Sequence, residues 1–302
     1  MKDSEQPDIA EWVSQSPSEQ RELRQAVHTV LAAIAQDAQL RAGMIMKGGI
    51  LLAVRYHSAR FTRDIDFSTT MKLSEIDPDD VQKRLDASLR LTVEVLEYDL
   101  DCRVQGCQVN PPKQANASFP SIELKIGYAY KGTPKHRRLL QHQSPSVLSI
   151  DYSLNETISN TDEIVIGLDQ SVNAYPFAEL VAEKFRALLQ QVDRNRYRRQ
   201  DVYDLALLSR LPRNESVEGA ILDSLLIKGR ARQIEPRRES LNDEEVKRRA
   251  AADYPTLKDE VQGELPDFEV TYAEVVTFYK ALPWDKMDLQ AQKIRELTGA
   301  QF

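Results

Sequence analysis

The pattern of residue types changes twice along the chain, and this change most constrains its fold. Between about residues 91 and 173, alternating and β-branched runs are separated by Pro, Gly and Asn, as is typical of short strands joined by turns. The runs that predict strands cover residues 92–98, 102–109, 121–130, 147–153 and 163–167. On both sides of this region, apolar residues recur at helical spacing. We therefore predict an α+β fold, with a small mixed sheet in a domain over residues 1–174 and an α-helical domain over residues 175–302.

The flanking regions predict individual helices and two further short strands. Ahead of the strand-rich region, helices are expected over residues 17–37, 49–57 and 75–90, and strands over 44–46 and 64–68. Beyond Tyr175-Pro176, helices are expected over residues 176–191, 198–210, 215–228, 240–251, 270–282 and 287–298.

Composition and charge exclude several classes of protein. No apolar run among the 302 residues approaches the ~20 residues that a membrane span needs, and the polar start has no apolar signal-peptide core. The two cysteines, Cys102 and Cys107, have no further cysteine or histidine cluster near them and are expected to be reduced. We therefore predict a cytoplasmic protein that does not enter a membrane.

The net charge of −7 argues against general binding to polyanions, but cations cluster locally. Within residues 193–199, four of seven residues are arginine: Arg194, Arg196, Arg198 and Arg199. Such a run is either a solvated helix face or a place where an RNA end or a triphosphate approaches. The sequence leaves both interpretations open.

Two aspartates one residue apart are the clearest chemical signal. Asp64 and Asp66 lie at i and i+2 of a predicted strand, so both side chains leave the same face while Ile65 points into the core. Two carboxylates this close repel each other unless a cation lies between them. Hard divalent cations such as Mg²⁺ take oxygen ligands of this kind.

A pair of glycines upstream strengthens that hypothesis. Gly48-Gly49 lies directly before an apolar helix, where free backbone N–H groups and the positive helix end favour phosphate. Glycine permits a close approach because it carries no Cβ. A simple tight turn is the alternative when the pair is considered alone.

A third carboxylate is expected from a neighbouring strand, and two candidates are present. In SIELKIGY, Glu123 shares a face with Lys125; in VLSIDYS, Asp151 shares a face with Ser149 and Ser153. The alternation of side chains along a strand does not choose between Glu123 and Asp151.

Two predicted helices carry charges among apolar residues. Lys184 lies within the apolar stripe of YPFAELVAEKFRALLQ, and Asp201 and Asp204 share a face with leucines in RRQDVYDLALLSR. Charged groups on an inward face need partners. An ion pair between the two helices is the structural interpretation. In the functional one, Lys184 contacts nucleotide phosphates and Asp201 orients or activates the attacking group.

With these residues, the chain resembles the AbiEii/AbiGii-type nucleotidyltransferase toxins of type IV toxin–antitoxin and abortive-infection systems, which belong to the polymerase-β-like nucleotidyltransferase superfamily. Four segments over about residues 40–210 carry the resemblance, in the order found in the family: MKGGILLAVRYHSARFTRDIDF, VLSIDYSLNE, YPFAELVAEKFRALL and RRQDVYDLALL. The first is similar to the family's paired glycines followed by (S/T)xDxD, and the second to the strand that bears its third carboxylate, here Asp151.

The resemblance implies a polymerase-β-like core and a role for each matching residue. The nucleotide would be bound by Lys47, Gly48, Gly49, Thr62 and Lys184. The metal ion, Mg²⁺ with Mn²⁺ as an alternative, would be bound by Asp64, Asp66 and Asp151. The residues that act in catalysis would be Asp64, Asp66, Lys184 and Asp201. The helical domain would complete the active site. Gln200 departs from the pattern because the family commonly has lysine there, which could change the choice of nucleotide or acceptor.

The resemblance further implies transfer of NMP from an NTP to RNA, with the 3′ end of tRNA as the expected acceptor, and a cognate antitoxin encoded nearby. Two alternatives use the same residues: nucleotidylation of a protein hydroxyl, and a nucleotide-binding module with little turnover. The sequence specifies neither the NTP nor the acceptor.

Overall fold

The computed structural model describes residues 9–112, 117–167 and 170–285 of the chain. The chain divides into two compact units between Tyr175 and Pro176. In the described ranges, no helix is both long and apolar enough to cross a membrane.

A seven-stranded mixed sheet forms the centre of the first unit. Its strands are β1 (Ile45–Lys47), β2 (Asp64–Ser68), β3 (Leu100–Asn110), β4 (Ser121–Tyr130), β5 (Val147–Ser153), β6 (Asp162–Gly167) and β7 (Gln170–Ala174). The strand order is β3-β4-β5-β2-β1-β7-β6, with β2–β5 and β1–β7 parallel and the other pairs antiparallel. The strand of the paired aspartates, β2, therefore lies between β5 and β1.

Helices cover the apolar side of this sheet. The first unit contains α1 (Ile9–Ser14), α2 (Ser18–Gln36), α3 (Ala38–Gly43), α4 (Gly48–Tyr56), α5 (Pro78–Val95) and α6 (Pro134–Leu140). The helix α2 contacts five strands from β3 to β7, and α5 packs on α2 and β3. Ile65 and Phe67 of β2 and Ile150 of β5 are fully buried, which leaves the intervening residues on the opposite face.

The regular elements of the second unit, within its described residues 176–285, are helices. They are α7 (Phe177–Gln190), α8 (Arg199–Ser209), α9 (Glu215–Ala231), α10 (Glu244–Ala251) and α11 (Phe268–Ala281), with a 3₁₀ segment over Tyr254–Asp259. The helix α7 packs against α8 and α9, and α11 packs against α8. Phe185 meets Phe278 and Tyr279 edge to face, with ring centroids 5.4 and 5.0 Å apart.

The predicted α+β architecture is confirmed, and several local predictions need correction. The strand predicted over residues 92–98 is wrong, because α5 continues to Val95. Leu85, Leu89 and Val93 keep helical spacing and are buried, so burial of a helical stripe outweighs the β-branched composition. The sequence did not predict α1, α3, α6 or β7, and the helix expected over residues 287–298 lies outside the described residues.

Candidate active site

Four acidic side chains share the face of the sheet that is opposite its apolar core. Asp66 of β2 is in register with Asp151 of the parallel strand β5, and Asp151 is in register with Glu123 of the antiparallel strand β4. Asp64 lies two residues before Asp66 on the same face. Since neighbouring strands lie about 4.8 Å apart, these carboxylates come close together.

The same row continues on both sides of the carboxylates. Lys47 of β1 is in register with Asp66 and donates from its Nζ to the Ser153 hydroxyl at 3.2 Å. At the other end, Glu123 accepts hydrogen bonds from Gln108 of β3 and from Asn110, the latter at 3.3 Å. A cation thus lies at one end of the row, and amide donors hold the carboxylate at the other.

The electrostatics of this face favour binding of a cation. The pKa of Asp64 is raised by partial burial and then by the charges of Asp151 and Glu123, with Arg63 opposing. Ionising this carboxyl therefore costs free energy that a bound cation would recover. Within the described ranges, no three acidic, histidine or cysteine side chains are already arranged to hold a metal ion. The donor set is one of hard carboxylate oxygens on an open face, which suits Mg²⁺.

Neither glycine of the predicted phosphate cradle has room for a Cβ, because another side chain lies against each of them. Gly48 begins α4 with φ +73°, and a Cβ there would lie 1.9 Å from Oδ2 of Asp66. A Cβ on Gly49 would lie 2.9 Å from Cγ2 of Thr62. Asp66 and Thr62 therefore lie directly against the start of α4. The two halves of the sequence motif meet at this point, as the phosphate-and-metal hypothesis requires.

Both candidates for the third carboxylate lie in this cluster. Asp151 is the nearer to the aspartate pair, being directly beside Asp66, while Glu123 is one strand further along the row. The alternation of side chains left the two as alternatives and the family resemblance favoured Asp151, but neither contains the pairing of β4 with β5 that also brings Glu123 into the cluster. Gln108, which holds Glu123, carried no sequence signal beyond its place in a predicted strand.

In the second unit, Lys184 of α7 is buried and paired with two acids of α8. Its ammonium donates to Oδ1 of Asp201 at 2.9 Å and to Oδ2 of Asp204 at 2.7 Å. Arg198 adds a longer contact to Asp201, 3.8 Å between Nη1 and Oδ2. The ion pair between the two helices, which is the structural interpretation of these charges, is therefore present, and the roles of Lys184 and Asp201 in catalysis stay a prediction.

The four arginines predicted to contact RNA differ in their surroundings. Arg194 and Arg196 are exposed, whereas Arg198 and Arg199 are half-buried. Arg199 lies 3.8 Å from Glu260, measured from Nη2 to Oε1. Gln200 is half-buried in the first turn of α8.

Comparison with known proteins identifies the family. The model of the family described as "Nucleotidyl transferase AbiEii toxin, Type IV TA system" matches residues 29–280. The chain belongs to this family. It is accordingly a nucleotidyltransferase of the toxin–antitoxin type, with an NTP substrate and an antitoxin partner implied by the family. No curated protein sequence matches the chain significantly.

Solved structures show the same fold at low sequence identity. MenT4, a nucleotidyltransferase toxin of Mycobacterium tuberculosis H37Rv, is 16% identical with a TM-score of 0.50; the match covers 93% of this chain and 91% of that chain. A candidate nucleotidyltransferase from H. pylori is 13% identical with a TM-score of 0.50; the match covers 91% of this chain and 99% of that chain. At these identities the likeness concerns the fold.

Proposed function

We propose that this toxin transfers a nucleoside monophosphate from an NTP to RNA, that the reaction depends on Mg²⁺, and that the 3′ end of tRNA is the acceptor. Blocking that end would stop aminoacylation and hence translation. The observation that carries the proposal is the group of Asp64, Asp66 and Asp151 on one face of the sheet, with Asp66 against the glycine start of α4. Because NTP and tRNA are cytosolic, we place the reaction in the cytosol.

The start of α4 would hold the triphosphate. The first N–H groups of a helix have no partner within it, and its N-terminus carries a partial positive charge, so phosphate oxygens bind there. Gly48 and Gly49 permit a close approach, and Lys47 places an ammonium in the same row of the sheet. Thr62 packs against Gly49 and would supply a hydroxyl at the edge of this cradle.

Asp64, Asp66 and Asp151 would hold Mg²⁺, with Mn²⁺ as a substitute, because their oxygens are hard ligands and their mutual repulsion needs a cation. When bound, the ion supplies charge neutralisation for the attacking and leaving oxygens of an in-line displacement. Glu123, held by Gln108 and Asn110, adds negative potential to the same face.

The transfer step itself is a displacement at the α-phosphorus. The acceptor hydroxyl oxygen forms a bond to that phosphorus, and the bond from it to the oxygen shared with the β-phosphorus breaks, so pyrophosphate leaves with the electron pair. We assign receipt of the hydroxyl proton to Asp201, which passes it to solvent, and contact with the phosphates to Lys184. These assignments follow the family pattern; in the structure the two side chains are paired with each other.

The test uses purified protein, Mg²⁺, total tRNA and each NTP labelled at the α-phosphate. We expect label to enter RNA with the wild-type protein and to be lost with Asp64→Ala or Asp66→Asn. The matched control is Asp223→Asn, which removes an exposed carboxylate that makes no ion pair among the described residues. Absence of transfer with every NTP, or equal transfer by Asp64→Ala, would refute the proposal.

The same reaction mixture separates the alternatives. Label that migrates with protein and resists ribonuclease would indicate nucleotidylation of a protein hydroxyl. Tight NTP binding without pyrophosphate release would indicate a binding module. A partner encoded beside this chain that restores the growth of cells arrested by its expression would identify the antitoxin.

A further inference from the structure

An exposed aromatic ring lies among the arginines that join α7 to α8, and the transfer step does not use it. We call residues 191–198 the α7–α8 loop. Tyr197 in this loop is 50% exposed, so a large part of its aromatic surface faces solvent. Two exposed arginines precede it, Arg194 and Arg196.

Hydrogen bonds give the α7–α8 loop a defined conformation. The N–H of Asn195 donates to Val192 O at 3.1 Å, and that of Arg196 donates to Gln191 O at 2.9 Å. Asn195 has φ +48°, a left-handed conformation that asparagine adopts more readily than most residues. The side chain of Gln191 donates to Val246 O of α10 at 2.8 Å. The loop is therefore attached to a second helix close to the ring.

Arg249 of α10 supports the ring directly. Its guanidinium carbon lies 5.9 Å from the centroid of Tyr197, and its Nη1 donates to Oδ1 of Asn195 at 2.9 Å. Its Nε lies 2.6 Å from Oε1 of Glu245, an i,i+4 ion pair that holds the guanidinium in place. One side of the tyrosine ring thus faces Arg249, while half of its surface faces solvent.

The charge around the ring is strongly positive. Arg194 and Arg196 form no ion pair with any residue that the structure describes, and Arg198 is 43% exposed with a long contact of 3.8 Å to Asp201. Asp193 is the one acid in the loop. A positively charged surface with an exposed aromatic ring is the combination that binds single-stranded nucleic acid, because cations follow the phosphates and the ring stacks on a base.

We propose that Tyr197 stacks on an unpaired base of the nucleic acid that this enzyme modifies, with Arg194 and Arg196 on the flanking phosphates. The proposal rests on the proposed function for the identity of the acceptor as RNA, and it adds which part of that RNA is recognised. An unpaired end fits and a duplex does not, since the bases of a duplex are stacked on each other and offer no free face.

The experiment measures binding without catalysis. Fluorescence anisotropy follows a labelled single-stranded RNA of about ten nucleotides, within the roughly 4–16 nucleotides that one small binding domain covers, with no NTP or Mg²⁺ present. Because stacking contributes about 1–3 kcal/mol per base, Tyr197→Ala should weaken binding roughly 5- to 150-fold. Tyr197→Phe, which keeps the ring, should bind like the wild type, and a duplex RNA should bind equally to all three.

Arg196→Ala tests the cationic part. It should lower the slope of log K against log salt by about 0.7, the value for one phosphate contact on a single strand. The matched control is Arg237→Ala, which removes an exposed arginine paired with Glu235 on the same unit and should leave the slope unchanged.

A second measurement covers the case in which Tyr197→Ala does not fold. Tyr197→Trp in a background with Trp12→Phe and Trp284→Phe leaves one indole in the chain, and stacking on a base should quench its fluorescence when single-stranded RNA is added. Unchanged affinity of Tyr197→Ala, equal loss in Tyr197→Phe, or an unquenched indole would each overturn the proposal. If Tyr197→Ala loses binding while the wild type transfers no label, stacking stands and the proposed function fails. If Tyr197→Ala binds like the wild type while the wild type transfers label, stacking is refuted and the proposed function stands.

Discussion

At the scale of single residues, the candidate site depends on a glycine, because a Cβ at position 48 would displace a carboxylate. Gly48 has a positive φ and no Cβ, and the carboxylate of Asp66 occupies the space that a Cβ would need. A second glycine, Gly132, has nearly the same φ, +77°, with nothing within 4 Å of the corresponding position. Substitutions at these two positions can therefore distinguish the effect of backbone strain from the effect of a displaced carboxylate.

Gly48→Ala should therefore lower the rate of transfer about 10²-fold, while Gly132→Ala should leave it unchanged. Both substitutions place alanine at positive φ, which costs about 1–2 kcal/mol of stability. Only Gly48→Ala also moves Asp66, and a misplacement of about 1 Å at a reacting centre can lower the rate about 10²-fold. Rates of transfer and unfolding midpoints of both variants check this. Equal loss of activity in both would show that strain, and not the carboxylate, is responsible.

The raised pKa of Asp64 predicts that the free energy of unfolding depends on pH. Its pKa is raised from an ordinary value near 3.8, so the folded protein holds the proton to higher pH than the unfolded chain does. The stabilising effect is complete below that ordinary value and is lost as pH rises through the raised pKa. In EDTA, Asp64→Asn should therefore gain stability over the wild type toward neutral pH, and the gain should vanish in acid.

Glu245 supplies a control of opposite sign. Hydrogen bonds from Arg248 and Arg249 lower the pKa of its carboxyl to about 2, so its contribution is present above the ordinary value of 4.5 and is lost as pH falls. Glu245→Gln should destabilise the protein at neutral pH, with the difference shrinking in acid. Denaturant unfolding at a series of pH values measures both variants. A gain for Asp64→Asn that did not change with pH would contradict the assignment to its charge.

At the scale of elements, the ion pairs of two buried lysines attach α7 to its neighbours. Lys184 pairs with Asp201 and Asp204 of α8, and Lys228 of α9 pairs with Glu179 of α7 at 2.8 Å between Nζ and Oε2. Buried pairs contribute little net stability, but removing one partner leaves an uncompensated charge. The two lysines are similarly buried, so one can serve as the control for the other.

Lys184→Met and Lys228→Met should each destabilise the protein by about 3–5 kcal/mol, because each leaves buried carboxylates without an ammonium. Among molecules that remain folded, only Lys184→Met should lose transfer. Adding Asp201→Asn and Asp204→Asn to Lys184→Met should recover much of the stability and none of the activity. Denaturant unfolding and rates at a permissive temperature test both parts. Recovery of transfer in the neutralised variant would assign purely structural roles to both Lys184 and Asp201.

At the scale of the whole molecule, the two units carry different parts of the proposed chemistry. The acidic face and the glycines belong to the first unit, and Lys184 and Asp201 belong to the second. Each unit also contains one of the two tryptophans: Trp12 of α1, with the Arg24 guanidinium 4.7 Å from its ring centroid, and the buried Trp284 near Tyr279. Fluorescence can therefore report the unfolding of each unit.

A non-hydrolysable NTP analogue with Mg²⁺ should raise the unfolding midpoint reported by Trp12 in the Trp284→Phe variant. Binding at 100 times the Kd adds about 2.7 kcal/mol to the stability of the state that binds. If Lys184 contacts the nucleotide, the midpoint reported by Trp284 in Trp12→Phe should rise too. Asp66→Asn should remove the effect of Mg²⁺. A Trp12 midpoint that does not respond to the analogue would contradict nucleotide binding by the first unit.

The sequence by itself determined what depends on local backbone geometry. Alternation along a strand placed Asp64 and Asp66 on one face, and helical spacing placed Lys184 and Asp201 on inward faces. A strand always repeats every two residues and a helix every 3.6, so these periods can be recognised in the sequence alone. The same local reasoning failed at residues 92–95, where burial of a helical stripe outweighed β-branched composition.

Only the tertiary structure decided which elements are neighbours. The placement of β2 between β5 and β1 sets Asp66 beside Asp151, and the pairing of β4 with β5 brings in Glu123, which the sequence could treat only as a rival. Likewise, α10 supplies Arg249 to a tyrosine more than fifty residues earlier. Strand order and helix packing follow from contacts between distant segments, whose free energy depends on the whole core and not on any local period.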